Sequence, residues 1–154
     1  MYIYIYGENV YPFFTCSIET QKSSTFSYDM SAILVAGGGN FSAKICRGKF
    51  EASTDVFIIS SNSKNFDYLI FLKIKKELIQ LNKVVQGTTI KHLSREVLKK
   101  LEILIPDDKT LEKFNDFCEN IQLKIENLHS KIEILDRTKK YLLNRIFSEK
   151  LEIL

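Results

Sequence analysis

The polar side chains that could do chemistry are scattered in this 154-residue chain. His92 and His129 lie in different segments, and neither has a Ser/Asp or Cys partner at a spacing that builds a nucleophilic triad. Cys16, Cys46 and Cys118 are far apart and odd in number, with no C-x-x-C pair, so no zinc site and no disulfide framework is expected. The acids form no paired nuclease-like arrangement. Gly37-Gly38-Gly39-Asn40 is the glycine cluster, but it lacks the Gly-Lys-Ser/Thr ending of a P-loop and the G-x-G-x-x-G spacing of a dinucleotide fold. A tight turn is its expected role. No catalytic residue, metal ligand or cofactor site is therefore expected.

The remaining chemistry is recognition of a polyanion. The net charge is +3, from 22 Lys and Arg against 19 Asp and Glu. It is unevenly spread: residues 44–100 hold twelve basic and five acidic side chains, a net +7, whereas residues 1–43 carry −2 and residues 110–154 balance eight against eight. Such a concentration suits a phosphate-binding face. Lys44, Arg47, Lys49, Lys91 and Arg95 sit near turns, where long cationic side chains reach phosphates or base edges. Gln86, Thr88, Thr89, Lys91 and His92 make a donor-rich loop, and Gln and Lys can read base edges in the major groove. Turn-forming hydrogen bonds would explain Thr88, Thr89 and His92 equally well. Lys73, Lys75, Lys76 and Lys83 read instead as the solvated side of a helix.

Two kinds of element must position these residues. Up to residue 60 the chain reads as strands: Tyr2–Tyr6, Val10–Thr15 (an edge or bulge because of Pro12), Ser31–Ala36 and Ala43–Arg47 as a hairpin around the glycine turn, and Asp55–Ser60. From Phe66 to Leu81 the period changes to that of an amphipathic helix, with Leu69, Leu72 and Ile79 beside Phe71 and Leu78. Ser94 can cap a short helix through Lys100, and Leu101–Ile105 reads as a last strand ended by Pro106.

Beyond Pro106 there is neither glycine nor proline. Leu111, Phe114, Cys118, Ile121, Ile125, Leu128, Ile132, Leu135, Lys139, Leu142 and Ile146 alternate 3 and 4 apart. A seam held for about five heptads predicts a coiled coil, and a lone helix would leave it in water. A second copy of the same helix is the simplest partner, which makes the ten apolar positions dimerisation residues. Lys139 is either a register device or a snorkelling side chain. The expected class is α+β: a small mixed β-rich domain over residues 1–106, then a long coiled-coil helix over 107–154.

In this order the features resemble one half of the specificity subunit of type I restriction–modification enzymes. Tyr11-Pro12-Phe13-Phe14-Thr15-Cys16-Ser17 resembles a strand of that family. Ala32 to Asn40 resembles its strand and glycine turn. Gly87-Thr88-Thr89-Ile90-Lys91-His92-Leu93 resembles the passage near the end of a target recognition domain. Leu101–Pro106 and the helix through Tyr141–Phe147 resemble the helical region that closes each repeat.

The three unpaired cysteines suit reduced thiols in the cytoplasm, and the resemblance implies a non-catalytic subunit whose globular domain reads half of a bipartite target in double-stranded DNA. It implies helices that space two readers and dock methyltransferase (modification) subunits. The complex then directs adenine methylation, and cleavage when a motor nuclease subunit joins. The chain departs from the pattern in having one recognition domain and one helix, and in having Thr110-Leu111-Glu112-Lys113 where the family often has Glu-Gln. A half-subunit homodimer and a coiled-coil adaptor or truncated remnant that no longer reads DNA are both compatible with the sequence. No signal peptide and no membrane span is expected.

Overall fold

The computed structural model describes residues 10–84 and 92–151. The chain divides into two compact units, residues 1–105 and 106–154.

The first unit is built around β4 (Ala32–Ala36), whose five residues are all buried. It pairs antiparallel with β5 (Ala43–Cys46) on one side and with β7 (Val56–Ile59) on the other. A strand covered on both faces reads as a continuous apolar run rather than an alternating one, which is why Ala-Ile-Leu-Val-Ala suits this place. Its two faces feed two cores. Ile33 and Val35 pack with Phe41, Ile74, Leu78 and Leu93. Ala32 and Leu34 pack with Phe14, Phe50 and Val56.

Helix α1 (Asp67–Val84) covers the first face. Ile70, Ile74, Leu78 and Leu81 form the stripe that meets the sheet. The helix lies where it is expected, and Phe71 and Leu78 of the expected set pack in this core, but Leu72 and Ile79 are 44% and 55% exposed. The 70-74-78-81 spacing competes with the 69-72-79 set, and the sheet selects the former because it contains the two residues that become fully buried.

Against the second face lies a four-stranded sheet in the order β2-β1-β6-β3. Its strands are β1 (Tyr11–Phe14), β2 (Gln21–Ser23), β3 (Tyr28–Asp29) and β6 (Lys49–Ala52). Phe50 of β6 is fully buried, stacked on Tyr28 at 5.1 Å and edge-on to Phe14 at 5.9 Å. β1 has neighbours on both sides, so of the two expectations for Pro12, an edge or a bulge, the edge does not hold. The ladder to β6 runs through Phe13 and Phe14, so Pro12 itself pairs only with Lys22 of β2.

Other expectations also change. The 101–105 segment is not a strand: Leu104 is 95% exposed, and no ladder partner exists for it among the described residues. Leu101 instead packs with Leu98 of α2 (Arg95–Lys99) onto the α1-side core. Ser94 stands at the N-cap of α2 but makes no side-chain capping bond. A 3-10 turn over Lys64–Phe66 precedes α1. The Tyr2–Tyr6 strand lies outside the described residues.

The second unit is a single helix, α3 (Asp108–Leu151), 44 residues long. At 1.5 Å per residue it extends about 66 Å. The overall class is α+β, a β-rich part followed by a long helix.

Candidate nucleic-acid interface

The chain passes from one sheet to the other between β5 and β6, through Arg47 and Gly48. Gly48 has φ of +85°, a conformation that disfavours any side chain, and it exchanges two backbone hydrogen bonds with Met30 at 3.1 and 3.2 Å. Three of the sequence-predicted cations flank this crossing, and each lies over an aromatic ring. Lys44 Nζ is 5.7 Å from the Phe14 ring centre, Arg47 Cζ is 5.9 Å from Tyr68, and Lys49 Nζ is 4.6 Å from Phe26. Such contacts restrict long side chains before any ligand arrives.

The three differ in what else they do. Lys44 donates to the Ser17 carbonyl at 3.3 Å and to Thr20 Oγ1 at 3.1 Å, which ties β5 to the turn between β1 and β2. Burial lowers its pKa from the ordinary lysine value. Arg47 is exposed, and its Nη2 donates to the Tyr68 hydroxyl in the first turn of α1. Lys49 is exposed on β6, opposite Asp29 of β3.

The glycine turn is fixed from three sides. The Gly37 N–H donates to the Asp55 carbonyl at 2.9 Å, and its own carbonyl accepts from the Leu93 N–H at 2.8 Å. A Cβ on Gly37 would stand 2.7 Å from the Asp55 oxygen, so this position has no room for a side chain. Gly39 has φ of +67°. Gly38 forms an antiparallel bridge with His92, so two sequence-predicted segments meet here. From α1, the Asn82 side chain accepts from the Phe41 N–H at 3.0 Å and donates to the Phe41 carbonyl at 2.8 Å.

His92 is exposed beside Gly38. Gln86, Thr88, Thr89 and Lys91 lie outside the described residues. The placed candidates occupy four neighbourhoods (Ser17–Thr20, Tyr68, Phe26 and Gly38) linked by backbone, not one cluster. Sequence reasoning missed Asn82, Tyr68 and Phe26. Asn82 follows the apolar residue Leu81 near a helix end and carries no motif; only the fold shows its partner.

Along α3, Leu111 is buried, and Phe114 and Cys118 are half-buried; burial raises the Cys118 thiol pKa. From Ile121 onward the apolar seam positions are exposed: Ile121, Ile125, Leu128, Ile132, Leu135, Leu142 and Ile146 range from 43% to 67%. Among the described residues, no helix is long and apolar enough to cross a membrane, and no group of three His, Cys, Asp or Glu could hold a metal ion.

This arrangement has known counterparts. The type I restriction enzyme EcoDI specificity subunit of Escherichia coli is 23% identical over 127 residues, which is 82% of this chain and 28% of that protein. The crystal structure of a type I restriction–modification system S subunit from M. genitalium superposes with a TM-score of 0.62 at 20% identity, over 80% of this chain and 34% of that one, so the fold is shared. The chain therefore spans about a third or less of either relative. A family model, the type I restriction modification DNA specificity domain, matches residues 5–137, most of both units. The chain belongs to the type I restriction–modification DNA specificity domain family.

Proposed function

We propose that this chain is a non-catalytic DNA-reading component of a type I restriction–modification system that works as a homodimer in the cytoplasm. The β-rich unit contacts double-stranded DNA through the Arg47–Lys49 crossing and the Gly37–His92 junction. The helix pairs with that of a second copy and fixes the spacing of two identical readers. Methyltransferase subunits then act on adenines of the selected site, and a motor nuclease subunit adds cleavage. The single observation that carries this reading is the family match, which spans both the strands bearing the cations and the helix bearing the seam.

The dimer has a separate physical support. Seven exposed aliphatic side chains on one stripe are a large apolar surface for one helix to leave in water. Each is worth about 1.5–3 kcal/mol when fully covered. Identical readers related by a two-fold axis would select an interrupted inverted repeat.

Light scattering of the full chain, with selection from a random duplex library, tests the reading. A dimer enriching an interrupted palindrome, with affinity falling as salt rises, is the expected result. A dimer enriching nothing would leave a coiled-coil adaptor. A monomer would remove the second copy from the account.

A further inference from the structure

Phe41 is buried at the far end of the glycine turn, in the core shared by β4 and α1. Its backbone leaves the sheet here, just before β5 begins. The Asn82 carboxamide supplies both of the missing rungs: the Phe41 N–H donates to Oδ1 at 3.0 Å, and Nδ2 donates to the Phe41 carbonyl at 2.8 Å. A side-chain amide presents the same donor and acceptor pair as a peptide unit, so it stands in for a strand neighbour. The other end of the turn is held at Gly37 by Asp55 and Leu93. Between these two anchors, Gly38 bridges His92, and Gly39 and Asn40 are exposed.

We propose that Asn82 is a positioning residue for sequence reading: by clamping Phe41 it sets the Gly37–Asn40 turn against His92, so the two segments meet DNA as one surface. This rests on the reading that the first unit contacts DNA, and deepens it. Asn82 itself touches no base. Its effect is on the order of the turn, and so on discrimination between sequences, while phosphate contacts made by Arg47 and Lys49 are unchanged.

The variants are N82A, which loses both bonds, and N82D, whose carboxylate still accepts from the Phe41 N–H but cannot donate to the carbonyl. Full-length chains are compared by duplex selection, by the salt dependence of binding to an unselected duplex, and by amide hydrogen exchange at Gly38 and Gly39.

In N82A the preference for the selected site over random duplex is expected to fall about tenfold, within what two lost hydrogen bonds allow. The salt slope stays that of the wild type, and exchange at the turn quickens. N82D sets a carboxylate oxygen against the Phe41 carbonyl and is expected to lose at least as much preference as N82A, and whichever of the two variants folds carries the test. Equal selection by the wild type and the folded variants overturns the proposal. A loss of preference matched by an equal loss of unselected binding also overturns it, because that is damage to the fold. A wild-type chain that selects nothing, with exchange at the turn still quickened in N82A, instead defeats the DNA-reading assignment on which the proposal stands.

Discussion

Strand β4 and the seam of helix α3 carry the same kinds of aliphatic side chain and have opposite fates. Ile33, Leu34 and Val35 are at most 2% exposed, covered by α1 on one face and by the four-stranded sheet on the other. Leu128, Ile132 and Leu135 are 57%, 57% and 67% exposed. The type of these side chains does not separate strand from seam; whether a unit contains its own cover does. The first unit closes its cores within its own strands and helices. A single helix has no second layer of its own, so Leu128, Ile132 and Leu135 stand exposed along it.

The sharpest way to break that contrast is to cut into each region and ask what fails. Phe50→Ala removes a fully buried ring that stacks on Tyr28 and meets Phe14 edge-on. It is expected to destabilise the first unit by about 3–5 kcal/mol in urea unfolding. Gly37→Ala is expected to follow, at about 1–3 kcal/mol, because the new Cβ is forced onto the Asp55 carbonyl. Leu128→Asp should leave that unfolding transition where it was and shift the mass in solution from dimer to monomer. A Leu128→Asp chain still dimeric at low micromolar concentration would show that the stripe is not the contact. A Phe50→Ala chain as stable as the wild type would deny the first unit its closed core.

The same contrast explains what could be read from the sequence. The heptads of α3 were legible because a long helix obeys one period with no competing signal. The β4–β5 pairing was legible because a glycine turn separates two apolar runs. The strands β2 and β3 were not: Gln21–Ser23 and Tyr28–Asp29 are short, and β2 is polar, held by ladders rather than by side-chain pattern. Leu101–Ile105 erred the other way: its residues fit a strand, but Leu101 packs with Leu98 onto the α1-side core and the segment joins no ladder among the described residues. Among the candidate contacts, the family likeness pointed to segments, not to side chains. It could not separate Lys44, committed to Ser17 and Thr20, from Lys49, because that distinction depends on residues brought from 24 to 27 positions away.

That difference between lysines gives a smaller and more specific test. Arg47→Ala and Lys49→Ala are each expected to weaken binding to any duplex and to reduce the slope of log affinity against log salt by about 1. Lys44→Met keeps the aliphatic stem over Phe14 and is expected to leave the slope unaltered, with a modest loss of thermal stability from the released β1–β2 turn. A Lys44→Met chain that loses a unit of slope would reassign this lysine from latch to phosphate contact.

The smallest effect belongs to the start of α3, where the second unit does carry its own stabilising device. Asp107 precedes the helix, and its carboxylate accepts from the Thr110 N–H at 3.0 Å and from the Thr110 hydroxyl at 2.6 Å, satisfying a donor that the first turn leaves open. These hydrogen bonds hold its pKa below the usual carboxylate range. A carboxyl group more acidic in the folded than in the unfolded chain contributes fully above its unfolded pKa, and that contribution disappears as pH falls through the folded value. Helix content followed by circular dichroism should therefore be flat from pH 7 to about pH 5 as far as this cap is concerned, and fray only below about pH 4. Asp107→Asn retains an oxygen for the Thr110 N–H and should remove that part of the acid limb while keeping the cap. An acid limb identical in Asp107→Asn and the wild type would assign the fraying to the other carboxylates of the helix, and would leave its N-terminus held by backbone alone.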